Sequence, residues 1–449
     1  MYFAKYLKSC NEVYHTTLDP KKPGACRIHL VPPKKLKPRN PWVVIINGYS
    51  ILPLQSAWAV LLKVFMEYLN KYDGVALSND DIKELTNKTI ETLRTIFIGV
   101  KKDALREDLG KLIATFKDIA RGKEPSSDTG YMTLDKYAKY MSSPHRMDLL
   151  VSSMEKNNVW NCNQKCLHCY AANEKLSSCE ELSTDDWKKI IDNCREAHIP
   201  ALTFTGGEAT LRSDLVELVN YAKWFVTRLN TNGILLSKEL CQELYEASLD
   251  SVQVTLYSSD PKIHNFLVGG DHFKQTVEGI KNALEAGLDV SINTPLCSIN
   301  KDYVETLKFA QSLGVRYFSC SGLIPTGNAK YEDSINSRLT NEEITNIVKE
   351  AHKYLSKNDM ELSFTSPGWI NDDVLKEIHM VIPACGACLS NMAIAPNGDV
   401  IPCQSWLNGS VLGNMLNDKW SSIWNSKLAK KIRKDAITHK QVCLLKEEK

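Results

Sequence analysis

The sequence predicts an α/β protein with a parallel sheet at its centre. Between about residues 147 and 317, short apolar runs alternate with stretches whose apolar residues recur at helical spacing. Parallel strands need crossover connections, which helices supply, so this alternation favours a parallel sheet. The six strands could form a doubly wound sheet or a partial barrel, and periodicity alone does not choose between them. With 449 residues, 43% of them hydrophobic, the chain is long enough for two or three domains.

The first 40 residues are expected to be irregular. Residues 20–40 contain five prolines, seven Lys or Arg residues and no acidic residue. Proline fixes backbone angles and removes a hydrogen-bond donor, so this segment predicts a loop or an edge segment instead of a helix. It is either a solvated connector or a basic surface for an acidic partner.

A small α-rich domain is expected next. Trp42–Ile46 predicts a short buried strand, and Asn47-Gly48 predicts the turn that follows it. Three helices are expected, at 54–69, after a Ser78 N-cap, and at 105–120. Because residues 121–145 are polar, we place an N-terminal domain at 1–125 and a linker at 126–146.

The central α/β region contains all six strands of the predicted sheet. The expected strands are 149–153, 201–205, 225–230, 251–256, 290–294 and 316–320. The expected helices between them are 184–197, 213–224, 238–247, 273–286 and 303–313. Further along, we expect a helix after Leu339, a strand near Leu362 and a cysteine-rich tail. The remaining domains are therefore 147–325, a bridging region at 326–380, and 381–449.

Composition and charge exclude several classes of function. Fifty-five basic and 53 acidic side chains leave a net charge of +2, so nucleic acid is not expected as a partner. No apolar run approaches the ~20 residues that span a bilayer, so no membrane partner is expected. The N-terminus lacks a signal-peptide pattern, which predicts a cytoplasmic protein.

Fourteen cysteines are many for a cytoplasmic protein, where thiols stay reduced and clustered cysteines more often bind metal. Three of them form the motif Cx3Cx2C: Cys162, Cys166 and Cys169. Three thiolates from one loop can hold three irons of a [4Fe–4S] cluster and leave the fourth iron open to another ligand. A zinc site would usually have four closed ligands, so the spacing favours a cluster over zinc.

This motif, with an aromatic residue before its last cysteine and a strand before it, resembles the signature of the radical S-adenosylmethionine (radical SAM) superfamily. Other segments agree in order: Gly206-Gly207-Glu208 resembles the family's GGE motif, Asn230-Thr231-Asn232-Gly233 ends the third strand, and 252–265 resembles the fourth strand of peptide-modifying members. The resemblance covers about residues 147–325. It implies a partial (β/α)6 barrel, S-adenosyl-L-methionine and a [4Fe–4S] radical SAM cluster.

The resemblance also implies roles for single residues. Glu208 would receive the cofactor's ammonium group, a charge-assisted contact, and the glycines would let the backbone approach its methionine part. The remaining cofactor-binding positions are His168 near the adenine, Asn232, Thr255 near the carboxylate, and Asn293 near the ribose. Many relatives have an arginine where this chain has Phe266-Leu267-Val268, so that contact must come from elsewhere. No catalytic acid or base is assigned.

The late cysteines predict a second cluster. The run from Cys388 to Cys403 predicts a β-hairpin with its turn at Asn397-Gly398, and Trp420 and Trp424 fit a short helix over it. Together with Cys385 and Cys443, these residues resemble a SPASM or Twitch extension. Four cysteines suit one auxiliary [4Fe–4S] cluster, with zinc or free thiols as the alternative. Cys443, near the end of the chain, is expected to be the labile ligand, because termini fray unless they are tied down.

These resemblances imply a maturase of ribosomal peptides (a RiPP maturase). It would abstract hydrogen from a precursor peptide to form a thioether crosslink, a carbon–carbon crosslink or an epimer. The N-terminal domain resembles winged-helix elements that bind leader peptides, and an external electron donor of the flavodoxin or ferredoxin type is implied. The alternatives are a modifier of a small molecule or folded protein, and a non-catalytic Fe–S peptide-binding protein.

Overall fold

The structure is a computed structural model of the chain. It describes residues 3–18, 26–48, 50–72, 77–120, 130, 132, 134–157, 159–331, 336–358, 360–439 and 441–446. The chain divides into two compact units, residues 1–141 (unit 1) and residues 142–449 (unit 2). Each unit is described by itself below.

Unit 1 contains a four-stranded antiparallel sheet and helices. The strands follow one another across the sheet in the order β1 (Tyr14–Leu18), β2 (Cys26–Val31), β3 (Trp42–Ile46) and β4 (Ser50–Leu54). The helices are α1 (Phe3–Leu7), α2 (Ser56–Leu69), α3 (Asn79–Ile96), α4 (Lys102–Ala120) and α5 (Leu134–Ala138), with a 3-10 turn at Asn70–Tyr72. The apolar faces of α2, α3 and α4 bury a core against the sheet.

The expectation of a single strand in this unit is wrong. β1, β2 and β4 were missed, and β2 is an interior strand inside the segment that was expected to be irregular. The prolines and basic residues flank these six residues and hide their β-branched and apolar character, with Ile28 and Leu30 fully buried. The Asn47-Gly48 turn is confirmed by φ values of 51° and 74°. Ser78 forms the expected cap, as a capping box with Asp81.

Unit 2 is built on a ten-stranded sheet. Its strands lie in the order β13-β12-β11-β10-β9-β8-β5-β14-β15-β16. Their bounds are β5 (Arg146–Ser152), β8 (Ala201–Gly206), β9 (Val226–Thr231), β10 (Ser251–Thr255), β11 (Asp289–Pro295), β12 (Tyr317–Ser321), β13 (Glu361–Phe364), β14 (Asn391–Ile394), β15 (Asp399–Ile401) and β16 (Gly413–Asn414). A separate two-stranded ribbon joins β6 (Glu155–Lys156) and β7 (Val159–Trp160).

Strands β5 to β13 of the large sheet are parallel and lie in sequence order. A doubly wound sheet would reverse its strand order at a switch point. The sequential order is that of a barrel-type sheet, which confirms the partial barrel. All six predicted strands are observed.

Helices connect these strands, and two more follow the last strand. They are α6 (Thr184–Glu196), α7 (Leu215–Tyr221), α8 (Lys238–Glu246), α9 (Pro261–Val268), α10 (Phe273–Glu285), α11 (Tyr303–Ser312), α12 (Asn341–Leu355), α13 (Asp372–Glu377), α14 (Trp420–Trp424) and α15 (Lys427–Thr438). Single 3-10 turns occur at Lys175–Ser177, Ala209–Leu211 and Gly327–Lys330. All five predicted barrel helices are observed, but α9 was missed. Its signal was Asp260-Pro261, an N-cap followed by proline in the first turn.

The C-terminal hairpin continues the barrel sheet. β14 pairs in parallel with β5, from Asn391 opposite Arg146 to Ile394 opposite Leu149, and antiparallel with β15. The cysteine-rich segment and the barrel therefore share one sheet. Within the described ranges, no helix is both long enough and apolar enough to cross a bilayer.

Candidate functional site

The cluster loop (residues 162–169) brings its three cysteines together. The Cys162 Sγ lies 3.6 Å from the Gly207 carbonyl oxygen at the end of β8. Burial raises the pKa of the Cys166 thiol well above its usual value, and the neighbouring Cys169 and Cys162 thiolates raise it further. A metal centre would stabilise as thiolates the thiols whose ionisation is disfavoured in this way.

Helix α9 anchors the middle of the cluster loop. The Lys165 amide donates to the Val268 carbonyl at 3.0 Å, and the Leu167 amide donates to the Leu267 carbonyl at 2.9 Å. Gly269 ends the helix in the left-handed region, with φ of 68°. The Phe266-Leu267-Val268 segment, which departs from the family's arginine, thus holds the loop through its backbone.

A second segment anchors the end of the cluster loop. The Asn328 amide donates to the Cys169 carbonyl at 2.8 Å, and the Asn328 side chain donates to the Cys166 carbonyl at 3.0 Å. Buried Glu174 accepts from the Gly327 amide at 2.8 Å and pairs with Lys330 at 2.6 Å. The loop is therefore fixed from two sides by segments that follow it far along the chain.

Glu208 has a fixed carboxylate at the end of β8. It accepts hydrogen bonds from the Thr210 amide and hydroxyl, from the Thr231 hydroxyl at 2.7 Å, and from the Asn232 amide at 2.8 Å. Asn232 also donates to the Asn163 side chain at 2.6 Å. The two motifs named in the sequence thus meet here, and Asn232 joins them to the cluster loop.

The glycines before Glu208 have a structural reason of their own. Gly206 has φ of 142°, and a Cβ there would clash with the Ser152 backbone; a Cβ on Gly207 would lie 2.8 Å from the Ser153 carbonyl. The absence of side chains lets β8 and β5 approach each other at their carboxyl ends. Their contact with the cofactor stays a prediction.

The three other proposed cofactor positions lie on the same side of the barrel. Thr255 and Asn293 are register partners at the carboxyl ends of β10 and β11, and the Asn293 side chain accepts from the Ser319 hydroxyl at 2.9 Å. His168 and Ser337 share a hydrogen bond of 2.7 Å through the His168 Nε2. Burial, with a smaller effect of Arg338, lowers the pKa of His168 to about 4.

Buried polar atoms with no protein partner surround these residues. They are the Ser152 hydroxyl, the Asn163 and Gln164 side-chain NH2 groups, the His168 Nδ1 and the Asn230 side-chain oxygen. Buried polar groups nearly always have hydrogen-bond partners. The cluster loop and the adjoining strand ends therefore fit a polar ligand that would satisfy these atoms, as S-adenosylmethionine would.

The start of the cluster loop is braced by a largely buried acidic side chain, 12% exposed, that the sequence did not indicate. Glu181 accepts from the Ser153 amide at 2.9 Å and from the Asn161 side chain at 3.1 Å. It lies 3.8 Å from Arg212, which also donates to the Val151 carbonyl at 2.9 Å. Glu181, Arg212, Ser153 and Asn161 border a polar cavity of about 820 Å³ beside the loop.

The late cysteines form a second group. Burial raises the pKa of the Cys403 thiol, and the Cys443 and Cys385 thiolates raise it further. Burial also raises the pKa of Cys388 to about 12, while Arg433 lowers it and Cys385 raises it. Cys385 therefore lies within electrostatic range of the other three thiols, and a shared cluster at these four cysteines stays a prediction.

The fraying on which the expected lability of Cys443 rests is not observed. Its amide donates to the Pro367 carbonyl at 3.1 Å, and the Lys446 ammonium donates to the Gly368 carbonyl at 2.7 Å. Burial raises the pKa of its thiol. The segment around Cys443 is therefore attached to the body of unit 2.

Arg433 supports Cys388 from helix α15. Its Nε donates to the Cys388 carbonyl at 2.8 Å, and its guanidinium lies 3.5 Å from the centre of the Trp424 ring. The predicted short helix with Trp420 and Trp424 is present as α14, and the Asn397-Gly398 turn is confirmed between β14 and β15. Sequence reasoning missed Arg433, because a single arginine in a basic stretch carries no signal.

In the part of the chain that the structure describes, no three His, Cys, Asp or Glu side chains converge on one point as the ligands of a single metal ion would. The thiolates that hold a cubane bind different irons and need not converge.

Comparison with known proteins identifies two domains in this chain. Residues 161–310 match the Radical SAM superfamily, and residues 385–444 match SPASM, an iron-sulfur cluster-binding domain. The chain carries a radical SAM domain and a SPASM domain. The radical SAM domain implies S-adenosylmethionine and a [4Fe–4S] cluster, and the SPASM domain implies auxiliary iron–sulfur binding.

Curated relatives align with part of this chain. An AdoMet-dependent heme synthase of Oleidesulfovibrio alaskensis is 29% identical over 45% of this chain and 53% of that protein. An Fe-coproporphyrin III synthase of Methanosarcina barkeri is 35% identical over 33% of this chain and 38% of that protein. A probable GTP 3′,8-cyclase of Saccharolobus islandicus is 29% identical over 54% of this chain and 79% of that protein. The chain thus spans about half the length of the curated heme synthase that it matches.

Solved structures share the fold. Streptococcus suis SuiB bound to its precursor peptide SuiA has a TM-score of 0.58 at 17% identity and covers 89% of this chain and 88% of its own. The enzyme anSMEcpe with bound AdoMet has a TM-score of 0.52 at 17% identity and covers 65% of this chain and 84% of its own. At this identity the likeness shows the fold alone.

Proposed function

We propose that this chain is a radical SAM enzyme that modifies a ribosomally made precursor peptide and recognises it through a leader. Cys162, Cys166 and Cys169 would hold a [4Fe–4S] cluster whose open iron binds S-adenosylmethionine. When bound, these groups supply a 5′-deoxyadenosyl radical that abstracts hydrogen from the substrate. We further propose a cytoplasmic location, where thiols stay reduced.

Residues around the loop would bind and orient the cofactor. The Glu208 carboxylate, held by its four donors, would accept the ammonium group. The low pKa of His168, about 4, keeps its ring neutral at pH 7, so the unpartnered Nδ1 can form a neutral hydrogen bond to the adenine. Thr255 and Asn293 would add contacts from neighbouring strands.

Unit 1 is the observation that carries the peptide proposal. The likeness to SuiB extends over 89% of the chain, more than unit 2 alone supplies, whereas the likeness to anSMEcpe covers 65%. SuiB is a protein solved with its precursor peptide. A sheet followed by three long helices, ahead of the radical SAM domain, therefore supports a recognition element for a leader.

One edge of the unit 1 sheet suits an added strand. β1 pairs with β2 on one side; on the other it has no strand among the described residues, and the Asn70 side chain, which donates to the His15 carbonyl at 2.7 Å, would be displaced by an added strand. On the opposite edge, the Gln55 amide donates to the Gly130 carbonyl and the Met132 amide donates to the Pro53 carbonyl, so part of β4 already has a partner. We therefore propose that the leader adds along β1, as peptides do at open sheet edges.

Exposed cations after β2 would attract an acidic leader. Lys35, Lys37 and Arg39 lie exposed between β2 and β3. Complementary charge mainly speeds association and weakens with salt. We expect the triple change of these residues to Gln to weaken leader binding about 10-fold at low salt. A matched triple change, Lys8→Gln with Lys83→Gln and Lys101→Gln, removes the same charge elsewhere in unit 1.

The direct test uses the full chain with a candidate precursor from a neighbouring short reading frame. Mass spectrometry should show modification of the leader-bearing peptide, and removal of the leader should strongly reduce it. Equal modification of both peptides would refute leader recognition. Absence of 5′-deoxyadenosine with any substrate would instead support the non-catalytic Fe–S alternative.

The second candidate is a small-molecule or folded-protein modifier. The relatives named heme synthase, Fe-coproporphyrin III synthase and GTP cyclase favour a small molecule. The matched region in these relatives is at most 54% of this chain. Turnover of a porphyrin or a nucleotide in a chain whose β1 edge is blocked would favour this candidate over the peptide.

A further inference from the structure

Helix α15 carries a stripe of exposed lysines. Lys427, Lys431 and Lys434 recur about one turn apart, and Lys430 borders them. The buried residues of the helix, Ala429, Ile432 and Ala436, point to the opposite side. We call the four exposed lysines the lysine face. Within the described chain, none of the four has a salt-bridge partner.

The stability of the helix does not explain this face. Like charges three or four residues apart destabilise a helix. Lys427 also lies in the first turn, where the helix dipole disfavours a cation. Asp435 is the one acidic residue of the helix. The lysine face therefore costs stability, and packing of the buried side must hold the helix in place.

The inner side of α15 reaches the auxiliary cysteines. Arg433 donates to the Cys388 carbonyl at 2.8 Å and to the Trp424 carbonyl at 2.9 Å. An α-helix with its side chains is ~10–12 Å across. A protein that docks on the lysine face would therefore come within about one helix diameter of Cys388.

We propose that the lysine face docks an acidic electron-carrier protein of the flavodoxin or ferredoxin type, which reduces the cluster held by the late cysteines. One electron leaves the reduced carrier, which is oxidised, and enters a [4Fe–4S]²⁺ cluster, which becomes [4Fe–4S]⁺. No bond breaks and no proton moves in this step. The inference rests on the proposed radical chemistry, which needs a reductant. Exposed Leu428 beside the lysines supplies an apolar contact at the same surface.

The test compares two triple variants of the full, cluster-loaded chain. One carries Lys427→Gln, Lys431→Gln and Lys434→Gln. The control carries Lys223→Gln, Lys274→Gln and Lys281→Gln, three exposed lysines on other parts of unit 2. Reduced flavodoxin is mixed with each protein in a stopped-flow instrument, and bleaching of the cluster absorbance is followed. No peptide is present, so the result does not depend on the substrate.

We expect the lysine-face variant to be reduced at least about 10-fold more slowly at low salt, because electrostatic steering speeds association by ~10–10³. The difference should vanish near 1 M salt, where the Debye length is ~3 Å. The control variant, and reduction of either variant by dithionite, should match the wild type. A Lys→Arg triple variant should keep the fast rate.

Equal reduction rates in the lysine-face variant and the wild type would overturn the proposal. So would an equal loss in the control variant or with dithionite, because either would show a general effect. Loss of precursor-peptide binding with unchanged reduction by flavodoxin would assign the surface to an acidic peptide instead. If peptide modification fails while the salt-dependent reduction holds, the substrate proposal is wrong and this inference stands.

Discussion

Substitution of Gly269 by alanine should remove the radical SAM cluster without unfolding the chain. Gly269 ends helix α9 at φ of 68°, and a Cβ there would lie 2.5 Å from the Lys165 carbonyl oxygen in the cluster loop. Real Cβ atoms do not approach an oxygen so closely, so the loop must move. Lys165 directly precedes Cys166, and movement there displaces a ligand.

The size of the effect follows from two costs. A non-glycine residue in the left-handed region costs ~1–2 kcal/mol, and a forced overlap costs ~1–3 kcal/mol. If the loop moves to relieve the overlap, it loses two hydrogen bonds to α9, each contributing ~0.5–1.5 kcal/mol. The total of about 2–5 kcal/mol is smaller than a domain stability of ~5–15 kcal/mol, so the fold should survive with a displaced loop.

Anaerobic reconstitution tests this prediction. Gly269→Ala should lose about 4 irons per chain, the content of one cubane, and should stop producing 5′-deoxyadenosine. Gly99→Ala is the control, since Gly99 has φ of 87° but no atom within 4 Å of its Cβ position. The Gly99→Ala variant should be destabilised by backbone strain alone and should keep both clusters. Wild-type iron content and cofactor cleavage in Gly269→Ala would refute the reasoning that α9 fixes the loop.

Further predictions follow from the same contacts. Replacing the three cluster-loop cysteines by alanine should abolish 5′-deoxyadenosine formation and leave about 4 of about 8 irons per chain; about 12 in the wild type would mean further ligands among the scattered cysteines. Cys403→Ala and Cys443→Ala should both lose the auxiliary cluster, since Cys443 is held by Pro367; survival of a full cluster in Cys443→Ala would exclude it as a ligand. Arg433→Met should lower the reduction potential of the auxiliary cluster in a redox titration, because the Arg433 cation stabilises the reduced, more negative cluster. Arg433→Lys should give an intermediate potential. Burial lowers the pKa of His264 to about 4. As the pH falls from about 6.5 to about 4, the unfolded state therefore gains a proton that the folded state does not, and the free energy of unfolding should decrease. His264→Gln should flatten this part of the curve of unfolding free energy against pH.

The sequence was sufficient for features that local patterns encode. The Cx3Cx2C spacing, the GGE motif and the strand–helix alternation involve residues close together along the chain, so single-chain reasoning finds them. The strand order then confirmed the barrel. The same reasoning failed for β2, because this strand has only six residues and lies among prolines, where the composition indicates a loop.

Tertiary structure alone decided how the cluster loop is held and how the late cysteines meet. Asn328 binds the Cys166 carbonyl across 162 positions, and β14 pairs with β5 although more than 200 residues separate them. Cys443, expected to fray, is attached through Pro367. Such contacts follow from the packing of whole elements around a common sheet, and no local periodicity carries that information. The sequence by itself therefore predicted which residues would bind iron, because their spacing is local, and the packing of the barrel decided which distant backbone groups hold them in place.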